Sequence, residues 1–200
     1  MTATRPVIEF YFSFISLWSY VGSRRFAQLA RDNNATVIFK PIDLLHIFSA
    51  YRLTEMERWS QVREIPLVKQ PKYYPADPSL AHRVFLAAIR EKGHNDPTVQ
   101  DLAHRGLQTV WADEGNIADP DTIVRIANEA GLEGGRLLEL ARTDKTLAEE
   151  EAGLTKEAVD RRVFGAPFYV YRGEVFWGQD RLEMLEDVIK SGREPVPFRL

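Results

Sequence analysis

Residues 7–41 read VIEFYFSFISLWSYVGSRRFAQLARDNNATVIFKP, and the fold turns on this stretch. Val7-Ile8-Glu9-Phe10-Tyr11-Phe12 is short, aromatic and β-branched, the composition of a buried strand. From Leu17 to Arg31 a helical spacing puts Trp18, Gly22, Phe26 and Leu29 on one face and leaves Arg24, Arg25, Gln28 and Arg31 to solvent. Asp32-Asn33-Asn34 closes that helix. Thr36-Val37-Ile38-Phe39-Lys40-Pro41 then reads as a second strand. A helical crossover between two strands makes a βαβ unit with parallel strands.

Working outward, the C-terminal end returns to strands. Phe168-Tyr169-Val170-Tyr171 and Val175-Phe176-Trp177 flank Arg172-Gly173-Glu174, a hairpin signal, and Asp180 to Lys190 follows as a helix ended by Gly192. The middle is helical: Thr54–Arg63, Ser79–Glu91 with a cap-capable serine, Asp96-Pro97 to Ala112, Asp119-Pro120 to near Gly131, Gly135–Arg142, and Asp144–Val163. The order βαβ, helices, ββα predicts an α/β thioredoxin-like fold with a large all-helical insertion. Residues 1–43 and 156–200 are assigned to the thioredoxin-like domain and 44–155 to the insertion.

With 200 residues the chain buries roughly 70% of its unfolded surface, enough for a core without staples. Its 26 basic and 29 acidic residues give a net charge of −3 and no electrostatic reason to expect nucleic acid or an anionic membrane as partner. Cysteine is absent, which excludes disulfides, thiolate catalysis by the chain itself and Cys-type zinc sites. The N-terminus shows no apolar signal segment, and no run of 18 apolar residues occurs, so a cytoplasmic location is expected.

Three short segments carry chemistry. Ser16 stands where the first helix starts, at the carboxyl end of the first strand, where ligands of α/β sheets gather. A hydroxyl there beside a helix N-terminus can hydrogen-bond a thiolate or other anion, or it can serve as a helix cap. Gly165-Ala166-Pro167 precedes a strand and suits a cis X-Pro bond that leaves Ala166 backbone groups for an extended ligand; the plainer alternative is a trans proline at a strand start. Gly178-Gln179-Asp180-Arg181 opens the last helix, so Asp180 is either a cap or the acceptor for a ligand ammonium whose carboxylate meets the helix N–H groups. His46, His82, His94 and His104 lie apart with no metal-ligand spacing and read as surface or packing residues.

With these segments in hand, the chain resembles 2-hydroxychromene-2-carboxylate isomerases and the related kappa-class glutathione transferases. The resemblance rests on Phe10-Tyr11-Phe12 with Ser16 and Ser19-Tyr20, on Arg58-Trp59 followed by Ile65-Pro66-Leu67, and on Trp111-Ala112. It is closest at Arg162-Val163-Phe164-Gly165-Ala166-Pro167 and Phe176-Trp177-Gly178-Gln179-Asp180-Arg181-Leu182. It implies glutathione as cofactor, its thiol near Ser16 as the catalytic residue, its backbone against Ala166 and Pro167, and its γ-glutamyl end at Gln179 and Asp180. The implied reaction is cis–trans isomerisation of a conjugated aromatic 2-oxo acid by reversible thiolate addition, in a homodimer with a small-molecule substrate. Serine stands here where redox relatives carry cysteine. Two features depart from the family pattern: Leu17 replaces the usual proline, and the loop after Leu44 is short, with Phe48 at the position of a glutathione-binding lysine and no matching asparagine. A kappa-like transferase, and a binding protein on the same fold that has lost glutathione, are the alternative readings.

Overall fold

The computed structural model describes residues 5–42 and 51–198. Strand β1 (Val7–Phe12), helix α1 (Leu17–Asp32) and strand β2 (Thr36–Pro41) form the expected parallel unit, with Val7 opposite Thr36 and Phe12 opposite Pro41. Six helices follow among the described residues: α2 (Tyr51–Arg63), α3 (Ser79–Lys92), α4 (Pro97–Trp111), α5 (Pro120–Glu129), α6 (Gly134–Thr143) and α7 (Lys145–Asp160). The chain then re-enters the sheet as β3 (Phe168–Tyr171) and β4 (Glu174–Trp177), passes through a 3-10 turn (Gln179–Arg181) and ends in α8 (Leu182–Ser191). The strand order is β2-β1-β3-β4, with β3 antiparallel to both neighbours. This is a thioredoxin-type sheet interrupted by helices, as the sequence predicts.

Alternation along β1 sends side chains to two different cores. Ile8, Phe10 and Phe12 join the large core with Phe26 and Leu29 of α1. There the Phe10 ring stacks on Tyr169 at 5.2 Å and tilts against Phe26 at 4.6 Å. Tyr11 faces the other way, into a smaller cluster with Ala158 of α7, Phe168 and Val170. Around that second cluster the charges are matched. Lys40 Nζ bonds Glu9 at 2.7 Å, Tyr11 Oη at 3.1 Å and the Glu157 carboxylate, while Arg161 bonds Glu9, Tyr11 and Glu157. Burial would raise the Glu9 carboxyl, but hydrogen bonds from Arg161 and Lys40 outweigh it and hold it below the usual range. These contacts pin the end of α7 to the back of the sheet. We propose residues 44–155 as the insertion, with α7 shared between it and the thioredoxin-like unit.

Local chemistry explains most element ends. Asp96, Asp119 and Asp144 each accept a first-turn N–H, and Pro97 and Pro120 occupy helix starts where no N–H is needed. For α3 the bond comes from outside the expected serine: Asp77 Oδ1 accepts from both the N–H and the hydroxyl of Ser79. The hairpin loop is Arg172-Gly173, with φ of 51° and 82°, the pair of positive angles that a type I′ turn requires. Glu174 therefore belongs to β4, its carboxylate held by Arg193 and by the Val196 N–H. No helix among the described residues is long and apolar enough to cross a membrane.

Candidate functional site

The site is assembled around the N-terminal half of α1. After β1 the chain makes a turn in which the Ser16 N–H donates to the Ser13 carbonyl at 2.9 Å. Ser16 has extended backbone angles, φ −85° and ψ 108°, and its Oγ accepts from the Ser19 N–H at 3.2 Å. It is therefore the N-cap of α1, a role the sequence left open. Its Oγ also donates to the Ala166 carbonyl at 3.2 Å. A hydroxyl has one hydrogen to give, so in this state Ala166 holds it. Ser19 Oγ, one turn along and fully buried, has no hydrogen-bond partner among the described residues.

The Ala166–Pro167 peptide bond is cis, as expected from Gly165-Ala166-Pro167; a second cis bond, Tyr74–Pro75, had no sequence signal. Ala166 is buried, and its carbonyl is engaged by Ser16. The Pro167 carbonyl accepts from the Gly178 N–H at 3.0 Å, which ties the proline turn to the segment before α8. Gly178 takes φ 104°, a region that favours glycine, and a Cβ there would strike Asp180 Oδ1.

Gln179 and Asp180 sit differently. Gln179 is buried against α1: its Cβ lies 2.7 Å from where a Cβ on Gly22 would stand. Its Oε1 accepts from Arg63 Nε at 3.0 Å and its backbone carbonyl from Arg63 at 3.2 Å, so α2 clamps it. Asp180 is half-buried and pairs with Arg181 at 3.0 Å; it makes no side-chain cap for α8. Thus Ser16, Ala166, Pro167, Gln179 and Asp180 are brought together by two hydrogen bonds and one close helix contact. Phe48 and the loop after Leu44 lie outside the described residues.

Sequence reasoning missed two sets of neighbours. Arg63, at the end of α2, was read only as a helix end, yet it stacks over Trp59 at 5.3 Å and bonds Glu183 at 3.1 Å besides Gln179. His82 is fully buried behind the Ser13–Ser16 turn. Its partners, Ser13 and Glu151, each lie 69 positions away, which left no local signal. Tyr20 donates to the Pro66 carbonyl at 2.8 Å; burial, reinforced by Asp113, pushes its hydroxyl up to about 12, so it stays protonated.

Sheet order, interrupting helices and a serine-capped first helix beside a cis-proline turn define a thioredoxin-type domain. The chain belongs to the DSBA-like thioredoxin domain family, whose model matches residues 7–190. It is similar to the 2-hydroxychromene-2-carboxylate isomerase of Sphingobium xenophagum, at 27% identity over 198 residues, covering 91% of this chain and 97% of that one. Glutathione S-transferase kappa 1 of Caenorhabditis elegans is 21% identical over 98% of this chain and 95% of its own. The solved structure of a 2-hydroxychromene-2-carboxylate isomerase shares the fold, with a TM-score of 0.77 and 23% identity over 92% of this chain and 95% of that chain.

Proposed function

We propose that this protein is a glutathione-dependent isomerase acting on a conjugated aromatic 2-oxo acid, with Ser16 as the catalytic residue. The observation that carries the reading is the contact between the Ser16 hydroxyl at the start of α1 and the cis Ala166–Pro167 turn. The names of the similar isomerases and of the kappa transferase support it. The residues fit a thiol peptide. Ser19 Oγ is a buried hydroxyl without a partner among the described residues, and such a group costs roughly 1–3 kcal/mol unless something bonds it. When bound, glutathione supplies a thiolate whose reversible addition lets a carbon–carbon double bond rotate.

The chain's own residues have the following parts in this proposal. The Ser16 hydroxyl turns its one hydrogen from the Ala166 carbonyl onto the sulfur, and the freed carbonyl accepts an N–H of the ligand. The N-terminus of α1 adds its positive dipole end, which favours the ionised thiol. Gln179, its Oε1 held by Arg63, keeps its amide hydrogens to donate, and the half-exposed Asp180 accepts an ammonium. A cytoplasmic location belongs to the same proposal.

A kappa-like transferase is the second reading, favoured by the Caenorhabditis elegans relative. Calorimetry with glutathione, ultraviolet titration of bound thiolate, and turnover of 2-hydroxychromene-2-carboxylate test the choice. Isomerisation that requires glutathione is the expected result. Conjugation of 1-chloro-2,4-dinitrobenzene without isomerisation would shift the assignment to the transferase. No binding at millimolar glutathione would favour a thioredoxin-fold binding protein.

A further inference from the structure

Behind the turn that carries Ser16 lies a hydrogen-bonded chain of three residues from three elements. His82, in the first turn of α3, places its Nε2 3.4 Å from Ser13 Oγ and its Nδ1 3.0 Å from Glu151 Oε1 on α7. Ser13 and His82 are fully buried, and Glu151 is 14% exposed. The His82 ring also lies 5.5 Å from that of Phe14, so it contacts two successive residues of the turn. Asp77, at the foot of α3, is a second acid within electrostatic reach of the ring.

The proton positions follow from the partners. An ionised carboxylate only accepts, so Nδ1 carries the hydrogen donated to Glu151. In the neutral ring that leaves a lone pair on Nε2, and Ser13 donates its hydroxyl to it. The backbone carbonyl of the same Ser13 accepts the Ser16 N–H. The chain Glu151–His82–Ser13 thus ends one hydrogen bond from the residue whose hydroxyl direction matters.

Such an arrangement is costly to build without use. A buried imidazole and a buried hydroxyl each need partners, and an apolar pair would fill the space as well. We propose that His82, held in its Nδ1–H form by Glu151, is a positioning residue: it fixes the Ser13–Ser16 turn and so the aim of the Ser16 hydroxyl. The inference rests on the thiolate reading given above. It assigns the helices between β2 and β3 a direct part in the site on the thioredoxin-like unit.

The test uses Glu151→Gln, His82→Gln and His82→Asn in the full chain. A glutamine at 151 can donate to the ring and so releases the tautomer. A glutamine at 82 still reaches Ser13, whereas the shorter asparagine does not. The expected results are an Nδ1–H tautomer by ring-nitrogen NMR in the wild type, and a bound-thiol pKa raised by about half a unit or more in Glu151→Gln. Turnover should fall about tenfold at unchanged KM, with His82→Gln less affected than His82→Asn at equal melting temperature. An Nε2–H tautomer in the wild type would overturn the proposal. So would a thiol titration and kcat unmoved by Glu151→Gln. If the wild type binds no glutathione, the thiolate reading fails on its own. The positioning claim is then decided by a crystal structure of Glu151→Gln: Ser16 must leave the Ala166 carbonyl, and an unmoved Ser16 refutes it.

Discussion

Ser16 holds two bonds at once, capping α1 through Ser19 and reaching across to Ala166. The cap leaves room for the proposed anion-binding role, and on that proposal Ser16→Ala should show both losses. Stability should drop by about 1 kcal/mol from the missing cap. The bound thiol's pKa should rise and turnover should fall roughly 10- to 1000-fold, the range for losing one donor to an anion. Thermal melting and thiolate absorbance on one sample separate the two effects. A second residue-scale prediction concerns His104. Ser23 gives its hydroxyl hydrogen to the Tyr20 carbonyl, so His104 Nδ1 donates to Ser23 at 2.6 Å and Nε2 accepts from Arg24 at 3.0 Å. The ring is neutral, and burial, with Arg24 adding repulsion, holds it down to about 4 against an ordinary 6.5. The unfolded chain takes the proton first, so this stability is fully present above pH 6.5 and lost as pH falls toward 4. The ring edge is part-exposed, so the expected loss is about 1–2 kcal/mol, less than the full shift implies. Urea midpoints at pH 7 and pH 4.5 should fall further for the wild type than for His104→Gln.

At the scale of elements, α1 is the organiser. Its first turn presents Ser16, its second lies against the 3-10 turn through Gly22, and its apolar face fills the large core. Alanine is normally the better helix former, by about 1 kcal/mol. At position 22, however, a Cβ meets Gln179 Cβ at 2.7 Å and Leu182 Cδ1 at 3.5 Å. Overpacking should outweigh the propensity gain, so Gly22→Ala is expected to lose about 1–2 kcal/mol net. Because Gln179 is the residue displaced, the proposed glutathione binding should weaken as well. Denaturant melts and calorimetry on this variant check both, and a more stable protein would mean the 3-10 turn moves aside freely. Helix α7 shows a different logic. It carries charges on a face that meets a sheet, which works because Lys40 and Arg161 match Glu9 and Glu157.

For the whole molecule we propose a homodimer, the partner state implied by the family resemblance. Phe164 and Trp177 keep about half of their surface exposed although their rings meet edge to face at 5.2 Å. Sedimentation equilibrium at high micromolar concentration should give twice the 22.9 kDa chain mass. A monomer at that concentration counts against it. The same scale separates what reading residues in order can reach from what it cannot. β1, β2 and β3 ran to the residues expected, because each is a compact β-branched and aromatic run. Helix starts were legible at Asp96-Pro97 and Asp119-Pro120 for the same local reason.

Local chemistry thus determined the element order, the serine at the head of α1, the cis-proline turn and the presence of a hairpin near Gly173, whose loop the structure shortens to Arg172-Gly173. Each is decided by atoms a few bonds apart, and each leaves a mark in neighbouring residues. Only the tertiary structure decided what those groups touch. The Ser16 hydroxyl finds Ala166 across 150 positions, Arg63 finds Gln179 across 116, and His82 joins Ser13 and Glu151 across 69 on either side. A buried polar group is satisfied by whichever partner packing brings near, and that partner follows from how sheet and helices enclose the core rather than from its neighbours in the chain.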